Sequence, residues 1–104
     1  MDGDISLFFK NRKMQKIAIY GYGDIGRHLI TQLKNSGIEV EYIIDRRTNI
    51  DTQKIKLYKP EDKLPMVDAI VVTPVLEMEE IQKCLLKQYR GEIISIEHVL
   101  YECL

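Results

Sequence analysis

The sequence has few cysteines to cross-link it, few prolines, and no excess of charge of either sign. Among its 104 residues there are no tryptophans, two cysteines and three prolines, and 15 basic residues are balanced by 16 acidic ones. Non-specific binding to a phosphate backbone needs an excess of positive charge, so this balance predicts no nucleic-acid partner. The cysteines, Cys84 and Cys103, form no CxxC motif and have no histidine pair nearby, so neither a zinc site nor a disulfide framework is expected.

Long apolar runs are also missing. No stretch approaches the roughly 18 consecutive apolar residues that a membrane-spanning helix requires, so no membrane partner is expected. The segment 1–10 contains only the short cluster Leu7-Phe8-Phe9 behind two acids, which is too little for the apolar core of a signal peptide. We therefore predict a cytoplasmic protein.

The length predicts one folded domain. A globular chain of 104 residues buries about 60–70% of the surface of its unfolded form, which suffices for one core but not for an additional catalytic domain. We divide the chain into an N-terminal extension, residues 1–15, with a predicted short helix, and one domain, residues 16–104. The Leu7-Phe8-Phe9 cluster is expected to cover an apolar surface on this domain, on a second copy or on a neighbouring domain.

A strand, a helix and a second strand follow one another from residue 16. Residues 17–20 form a short apolar run typical of a buried strand. The segment 24–36 has apolar residues at helical spacing and is followed by Gly37, and residues 40–44 form a second strand that ends at Asp45. This succession is a parallel βαβ unit with a right-handed crossover. The inner face of the helix is predicted to consist of Ile25, Leu29, Ile30 and Leu33.

The same alternation continues to the end of the chain. The segment 46–54 is polar and lacks helical periodicity, so the crossover after the second strand is expected to be shortened. The sequence predicts a single Rossmann-like α/β domain of three layers, with about five parallel strands in the order 3-2-1-4-5. The further predicted elements are strands at 55–58, 68–73 and 93–96, a helix at 77–89 closed by Gly91, and a terminal turn or short helix at 99–104.

A glycine-rich motif lies between the first strand and the first helix. Residues 21–26 read GYGDIG and match the pattern G-x-G-x-x-G. In this context Gly21 provides a tight turn, Gly23 lets the backbone approach a pyrophosphate, and Gly26 allows the helix to pack closely on the strand. The free amide groups at the start of the helix would face the bound anion. Asp24, a negative charge beside this position, is interpreted as a helix cap that points to solvent.

Asp45 completes the pattern of a dinucleotide site. Its distance from Gly26 is close to the roughly 20-residue spacing of a carboxylate that accepts hydrogen bonds from an adenosine ribose. A 2′-phosphate would be attracted by Arg46 and Arg47 but repelled by Asp45, whereas NAD(H) suits the carboxylate and could stack its adenine on Arg46. The sequence therefore favours NAD over NADP. A nucleotide sugar or an adenine nucleotide stays an alternative, because the same loop holds any diphosphate.

These motifs resemble known nucleotide-binding proteins at two levels. The segment 21–27 resembles the dinucleotide fingerprint of NAD-binding Rossmann domains, and most closely the glycine loop of adenosylhomocysteine hydrolases. The segment 16–100 is similar in organisation to the small nucleotide-binding domains attached to bacterial sugar-modifying and polysaccharide-biosynthesis proteins. The resemblance implies that a nucleotide contacts Gly21, Gly23, Gly26 and Asp45, and that Thr73 and Pro74 border its adenosine side.

The predicted function is that of a binding module for NAD(H), which holds or senses the dinucleotide instead of catalysing a reaction alone. Hydride transfer needs an acid or base against the nicotinamide; nothing after Pro74 supplies it, and His28 and His98 match no catalytic motif. A catalytic version would be an NAD(P)-dependent oxidoreductase or epimerase of sugar metabolism, with its remaining parts elsewhere. Two alternatives stay open: a degenerate, ligand-free domain for protein interaction, and a regulatory domain of the kind that gates potassium transport.

The partners and the site residues follow from this interpretation. A homodimer through the Leu7-Phe8-Phe9 cluster or the edge strand near Ile93, or contact with another domain or protein, would cover apolar surface and could complete a site between subunits. We predict no catalytic and no metal-ligating residues. The predicted cofactor-binding residues are Gly21, Tyr22, Gly23, Asp24, Ile25, Gly26, Asp45, Arg46, Thr73 and Pro74.

Overall fold

The computed structural model describes residues 4–103, in which strands and helices alternate. Residues 1–3 and residue 104, which belong to the predicted extension and the predicted terminal turn, lie outside the described residues. None of the helices within residues 4–103 has both the length and the apolar character to cross a membrane. The elements are α1 (Ser6–Lys10), β1 (Lys16–Tyr20), α2 (Asp24–Leu33), β2 (Glu39–Ile44), β3 (Lys56–Tyr58), β4 (Ala69–Val72), a 3₁₀ turn (Val75–Glu77), α3 (Met78–Leu86), β5 (Ile93–Ser95) and α4 (Ile96–Glu102).

The five strands form one parallel sheet with the order β3-β2-β1-β4-β5. This confirms the order 3-2-1-4-5 expected from the sequence. The registers pair Tyr20 of β1 with Ile44 of β2 and with Val72 of β4, so these three strands end side by side. The chain runs from β1 to β2 on one side and returns to β4 on the other, which leaves a crevice outside the carboxyl ends of the strands.

Side chains alternate between the two faces of the sheet and form one apolar cluster on each. In β1, Ile17 and Ile19 pack on the face covered by α1, α2 and α4, whereas Ala18 and Tyr20 pack on the face covered by α3. Strands that are buried on both faces carry uninterrupted apolar residues, which explains the runs IAIY in β1 and AIVV in β4. The domain therefore has the three predicted layers, with helices on both sides of the sheet.

The Leu7-Phe8-Phe9 cluster packs against the sheet of its own chain. Phe8 and Phe9 in α1 are 3% and 0% exposed and belong to the apolar cluster formed with α2 and α4. Leu7 is half exposed. Of the three surfaces considered for this cluster, the structure has the one on the same chain, so Phe8 and Phe9 are not free to contact a second copy.

The connections on either side of β3 contain no helix within the described chain. Residues 45–55 join β2 to β3 and residues 59–68 join β3 to β4, both in irregular conformation. In the second connection, Leu64 and Val67 enter the apolar cluster on the α3 face, where a crossover helix would otherwise lie. The Tyr89 hydroxyl holds this connection, because it donates to the Val67 carbonyl at 3.0 Å and accepts from the Val67 N–H at 3.2 Å.

Tyr89→Phe is expected to lower the free energy of unfolding by about 1–3 kcal/mol, because it leaves the buried N–H and carbonyl of Val67 without their partner. Urea unfolding followed by circular dichroism measures the change. The matched control is Tyr101→Phe, because Tyr101 is 77% exposed whereas Tyr89 is 2% exposed. We expect the control to be neutral within about 0.5 kcal/mol. Equal stability of the two variants would contradict the role of Tyr89 as the anchor of this connection.

The ends of some elements differ from the predictions. α2 ends at Leu33 and not at residue 36, because Lys34 leaves the helical conformation with a ψ of +136° and Asn35 follows in the left-handed region with a φ of +62°. α3 likewise ends earlier than predicted. β5 ends at Ser95, whose hydroxyl accepts a hydrogen bond from the Glu97 N–H and caps α4. This cap places Ile96 in α4 and not in the predicted strand.

Candidate functional site

A cleft opens at the carboxyl ends of β1, β2 and β4. The glycine loop after β1 forms one wall, Asp45 and Arg47 after β2 form another, and Thr73 and Pro74 after β4 form the third. The structure thus brings most of the predicted cofactor-binding residues to one place. The predicted residues that line this cleft are Gly21, Tyr22, Gly23, Asp24, Ile25, Asp45, Thr73 and Pro74.

Gly21 forms the turn that ends β1. Its φ of +96° lies in the left-handed region, which side chains disfavour. A Cβ at this position would lie 2.6 Å from Oγ1 of Thr73. That hydroxyl is held in place because it donates to the carbonyl oxygen of Tyr20 at 2.8 Å. Gly21 is therefore required by the turn, and Thr73 fastens the turn to β4.

Gly26 lies in the first turn of α2, beneath the cleft and not on its surface. A Cβ at this position would lie 2.1 Å from the carbonyl oxygen of Gly21 and 3.5 Å from a methyl group of Ile19. α2 thus begins in direct contact with the turn after β1. This contact aims the N-terminus of the helix, with its free amide groups, at the cleft.

Gly23 has no comparable task within the protein. Its φ of −92° and ψ of −160° are extended values that any residue adopts. No atom lies within 4 Å of the position that a Cβ would take. Gly23 is the N-cap residue of α2, so the helix begins without a side-chain cap. The missing side chain leaves open space in front of the positive end of the helix.

The side chains of the two residues after Gly23 are placed differently from the predictions. Asp24 makes no capping hydrogen bond, so its interpretation as a cap is wrong; its side chain is 95% exposed and pairs with Arg27 at 2.5 Å. Ile25, expected on the inner face of α2, is 51% exposed. The buried positions of α2 in this region are those of Gly26 and Leu29, which turns Ile25 towards the cleft.

Asp45 is buried and fully hydrogen bonded at the end of β2. Its Oδ2 accepts from the Tyr22 N–H at 2.8 Å and from Nη2 of Arg47 at 2.9 Å. Its Oδ1 accepts from the backbone N–H and from Nε of Arg47, at 2.9 and 3.0 Å. These bonds fill the accepting capacity of a carboxylate. Burial acts to raise the pKa of Asp45, but the hydrogen bonds from Arg47 and Tyr22 outweigh it and lower this pKa to about 2.

Arg47 is a residue of the cleft that the sequence prediction missed. Besides its bonds to Asp45, its Nη2 donates to the carbonyl oxygen of Tyr22 at 3.0 Å, so it ties the end of β2 to the glycine loop. Its side chain is 54% exposed. Hydrogen bonding to Asp45 raises the pKa of Arg47. The available signal was its position two residues after Asp45, because an aspartate side chain in a turn commonly accepts a hydrogen bond from the backbone two residues further on.

Arg46, the predicted adenine-stacking residue, lines a neighbouring cleft. The interaction of its guanidinium with the Tyr20 hydroxyl raises the pKa of Arg46, and burial raises the pKa of Tyr20. Tyr20 packs on the α3 face of the sheet. Arg46 therefore lies on the other side of Asp45 from the open space at Gly23. The lining of this second cleft is Tyr20, Gly21, Asp45, Arg46, Pro74, Glu77 and Ile81.

Comparisons with known proteins identify no relative of this chain. No model of a protein family, no curated protein and no solved structure matches the chain. Within residues 4–103, no group of three or more His, Cys, Asp or Glu side chains is arranged to hold a metal ion. The function is therefore argued from the cleft itself.

Proposed function

We propose that the chain is a nucleotide-binding module whose ligand is NAD(H). The diphosphate would lie on the glycine loop at the start of α2, and the adenosine ribose would face Asp45. Thr73 and Pro74 would border the adenosine side. The module holds or senses the dinucleotide and does not catalyse a reaction alone.

The open space at Gly23 is the observation that carries this proposal. Gly21 is explained by the turn and Gly26 by the packing of α2, whereas nothing in the surrounding protein requires a glycine at position 23. A Cβ at this position would stand in front of the first amide groups of α2, where a diphosphate binds in folds of this type. A ligand at this position gives the missing side chain a physical reason.

The charge of Asp45 favours NAD over NADP as the ligand. With its pKa lowered to about 2, Asp45 is ionised at neutral pH and suited to accept hydrogen bonds from ribose hydroxyls. A 2′-phosphate would place negative charge beside this carboxylate.

Binding or sensing fits the ionisable groups of the cleft better than catalysis by the chain alone. Asp24 points to solvent and pairs with Arg27, and Asp45 and Arg47 are bound to each other, so none of the three stands free to act as an acid or base on a ligand. The module would then serve an oxidoreductase or epimerase domain of sugar or polysaccharide biosynthesis. The partly exposed Ile93 and Ile94 on the edge strand β5 offer a contact surface for that domain or for a second copy.

Calorimetric titration with NADH, NADPH, ADP and UDP-glucose tests the proposal. We expect NADH to bind most tightly. Gly23→Ala should weaken NADH binding at least about tenfold, because the new methyl group takes the space of the diphosphate. The same substitution should change the free energy of unfolding by less than about 1 kcal/mol, since the position is open and extended.

Gly37→Ala is the matched control for the titration. Gly37 lies in the turn between α2 and β2, outside the cleft, and its substitution should leave NADH affinity unchanged. Failure of all four ligands to bind at millimolar concentration would overturn the proposal. That outcome would favour the ligand-free interaction domain, an alternative supported by the occupation of Asp45 by the chain's own Arg47.

A further inference from the structure

The carboxylate that would receive the ribose is already occupied. Arg47 supplies three of the hydrogen bonds to Asp45, one from its backbone and two from its guanidinium. A ribose that donates two hydroxyl groups to Asp45 must displace the guanidinium, because the carboxylate has no accepting position left. Arg47 thus stands where the ribose of the proposed ligand would bind.

The displaced guanidinium would have a new partner close by. Nη2 of Arg47 contacts the carbonyl oxygen of Tyr22, the residue directly before Gly23, at 3.0 Å. The side chain is half exposed on the cleft, so it can turn without breaking core packing. A diphosphate in front of Gly23 would therefore lie within a short movement of this charge, and arginine pairs well with phosphate oxygens.

We infer that Arg47 is the specificity-determining residue of this cleft, which excludes a ligand that has a ribose but no phosphate and admits one that brings a diphosphate. The inference rests on the proposed function, because it assumes a nucleotide at Gly23 and Asp45. Binding of a nucleoside would break the bonds between the Arg47 guanidinium and Asp45 and would offer the guanidinium no new partner. A nucleoside diphosphate would give both residues new partners, because its ribose hydroxyl groups would bind Asp45 and its phosphate oxygens would bind Arg47.

The test compares adenosine, ADP and NADH on the wild-type chain and on Arg47→Met, which keeps a side chain of similar length without charge. Adenosine should bind about tenfold more tightly to the variant, because its ribose no longer competes with Arg47. ADP and NADH should bind about tenfold more weakly, because the phosphate loses its cation. The ratio of the adenosine and ADP dissociation constants should therefore fall about a hundredfold.

Two further variants keep the test interpretable. Lys54→Met removes one exposed positive charge from the same connection, away from Asp45, and should leave the ratio unchanged. Arg47→Lys retains the charge without the paired donors; it should shift the ratio in the same direction by about tenfold, and it serves as the test if Arg47→Met does not fold. Thermal unfolding of each variant verifies folding.

The outcomes separate this inference from the proposed function. If ADP and NADH bind the wild-type chain but adenosine gains nothing in Arg47→Met, the inference is overturned and the proposed function stands. If Arg47→Met binds all three ligands more weakly, the inference is also overturned, because a side chain that competes with the ribose cannot strengthen the binding of adenosine. If no nucleotide binds wild type or either variant, both the proposed function and this inference fail.

Discussion

Gly26→Ala is expected to lower the free energy of unfolding by about 3–5 kcal/mol, a large part of the roughly 5–15 kcal/mol that holds a small domain together. The new Cβ would lie 2.1 Å from the Gly21 carbonyl oxygen. That oxygen belongs to the backbone of a tight turn, so no side-chain rotation relieves the overlap, and α2 must move away from β1. Urea unfolding followed by circular dichroism measures the loss.

Gly37→Ala is the control that separates this overlap from the cost of a strained backbone. Gly37 has a φ of +93°, but no atom lies within 4 Å of its Cβ position. Alanine at this position should cost only about 1 kcal/mol, the usual penalty for a side chain in the left-handed region. A loss for Gly26→Ala no larger than for Gly37→Ala would contradict the close approach of α2 to the turn.

Asp45→Asn is expected to lower the free energy of unfolding by about 2 kcal/mol at pH 7. The amide cannot accept the hydrogen bonds of Arg47 and Tyr22 on both of its atoms, and it removes the charge that pairs with Arg47. The variant should also bind NADH about a hundredfold more weakly, because hydrogen bonds from ribose to a charged acceptor are replaced by weaker ones.

The pH dependence of stability identifies the contribution of Asp45. Its pKa in the folded chain is about 2, below the ordinary aspartate value of 3.8, so folding favours its ionised form. The contribution is fully present above about pH 5 and is lost as the pH falls through 4 towards 2. The stability difference between wild type and Asp45→Asn should therefore narrow over this range.

An exposed aspartate in the same connection provides the comparison. Asp51 is exposed, and its carboxylate accepts one hydrogen bond, from the Gln53 N–H. Asp51→Asn retains that acceptor and should stay within about 0.5 kcal/mol of wild type at every pH. If Asp45→Asn parallels wild type through the acid range, the lowered pKa of Asp45 is not a source of stability.

The sequence predicts the sheet and the glycine loop well because both depend on local patterns. The buried strands β1 and β4 are short apolar runs, and their order follows from the handedness of parallel crossovers. Gly21 and Gly26 have the structural tasks expected of a glycine motif. Their positions are fixed by neighbours within a few residues of the chain and by the strand beside them.

The placement of the arginine side chains and the ends of the helices could not be predicted, because they leave no mark in the apolar periodicity of the sequence. Arg46 and Arg47 are neighbours in the sequence, and the backbone conformation of the connection after β2 decides which of their side chains enters the cleft. The end of α2 at Leu33 depends on the extended ψ of Lys34 and the left-handed φ of Asn35, and the start of α4 depends on the hydroxyl of Ser95. Each of these helix ends depends on which of several alternative local conformations the folded chain stabilises.

The contact between α1 and α4 has a consequence for how the domain forms during synthesis. Arg12, just after α1, pairs with Glu102 at 2.6 Å across 90 residues of sequence, and the Phe8 ring lies 5.7 Å from that of His98. A ribosome releases α1 well before α4, so Phe8 lacks the part of its contacts that α4 provides until residues 96–102 have emerged. Until α4 docks, the nascent chain therefore exposes part of an aromatic segment, the kind of surface to which chaperones bind.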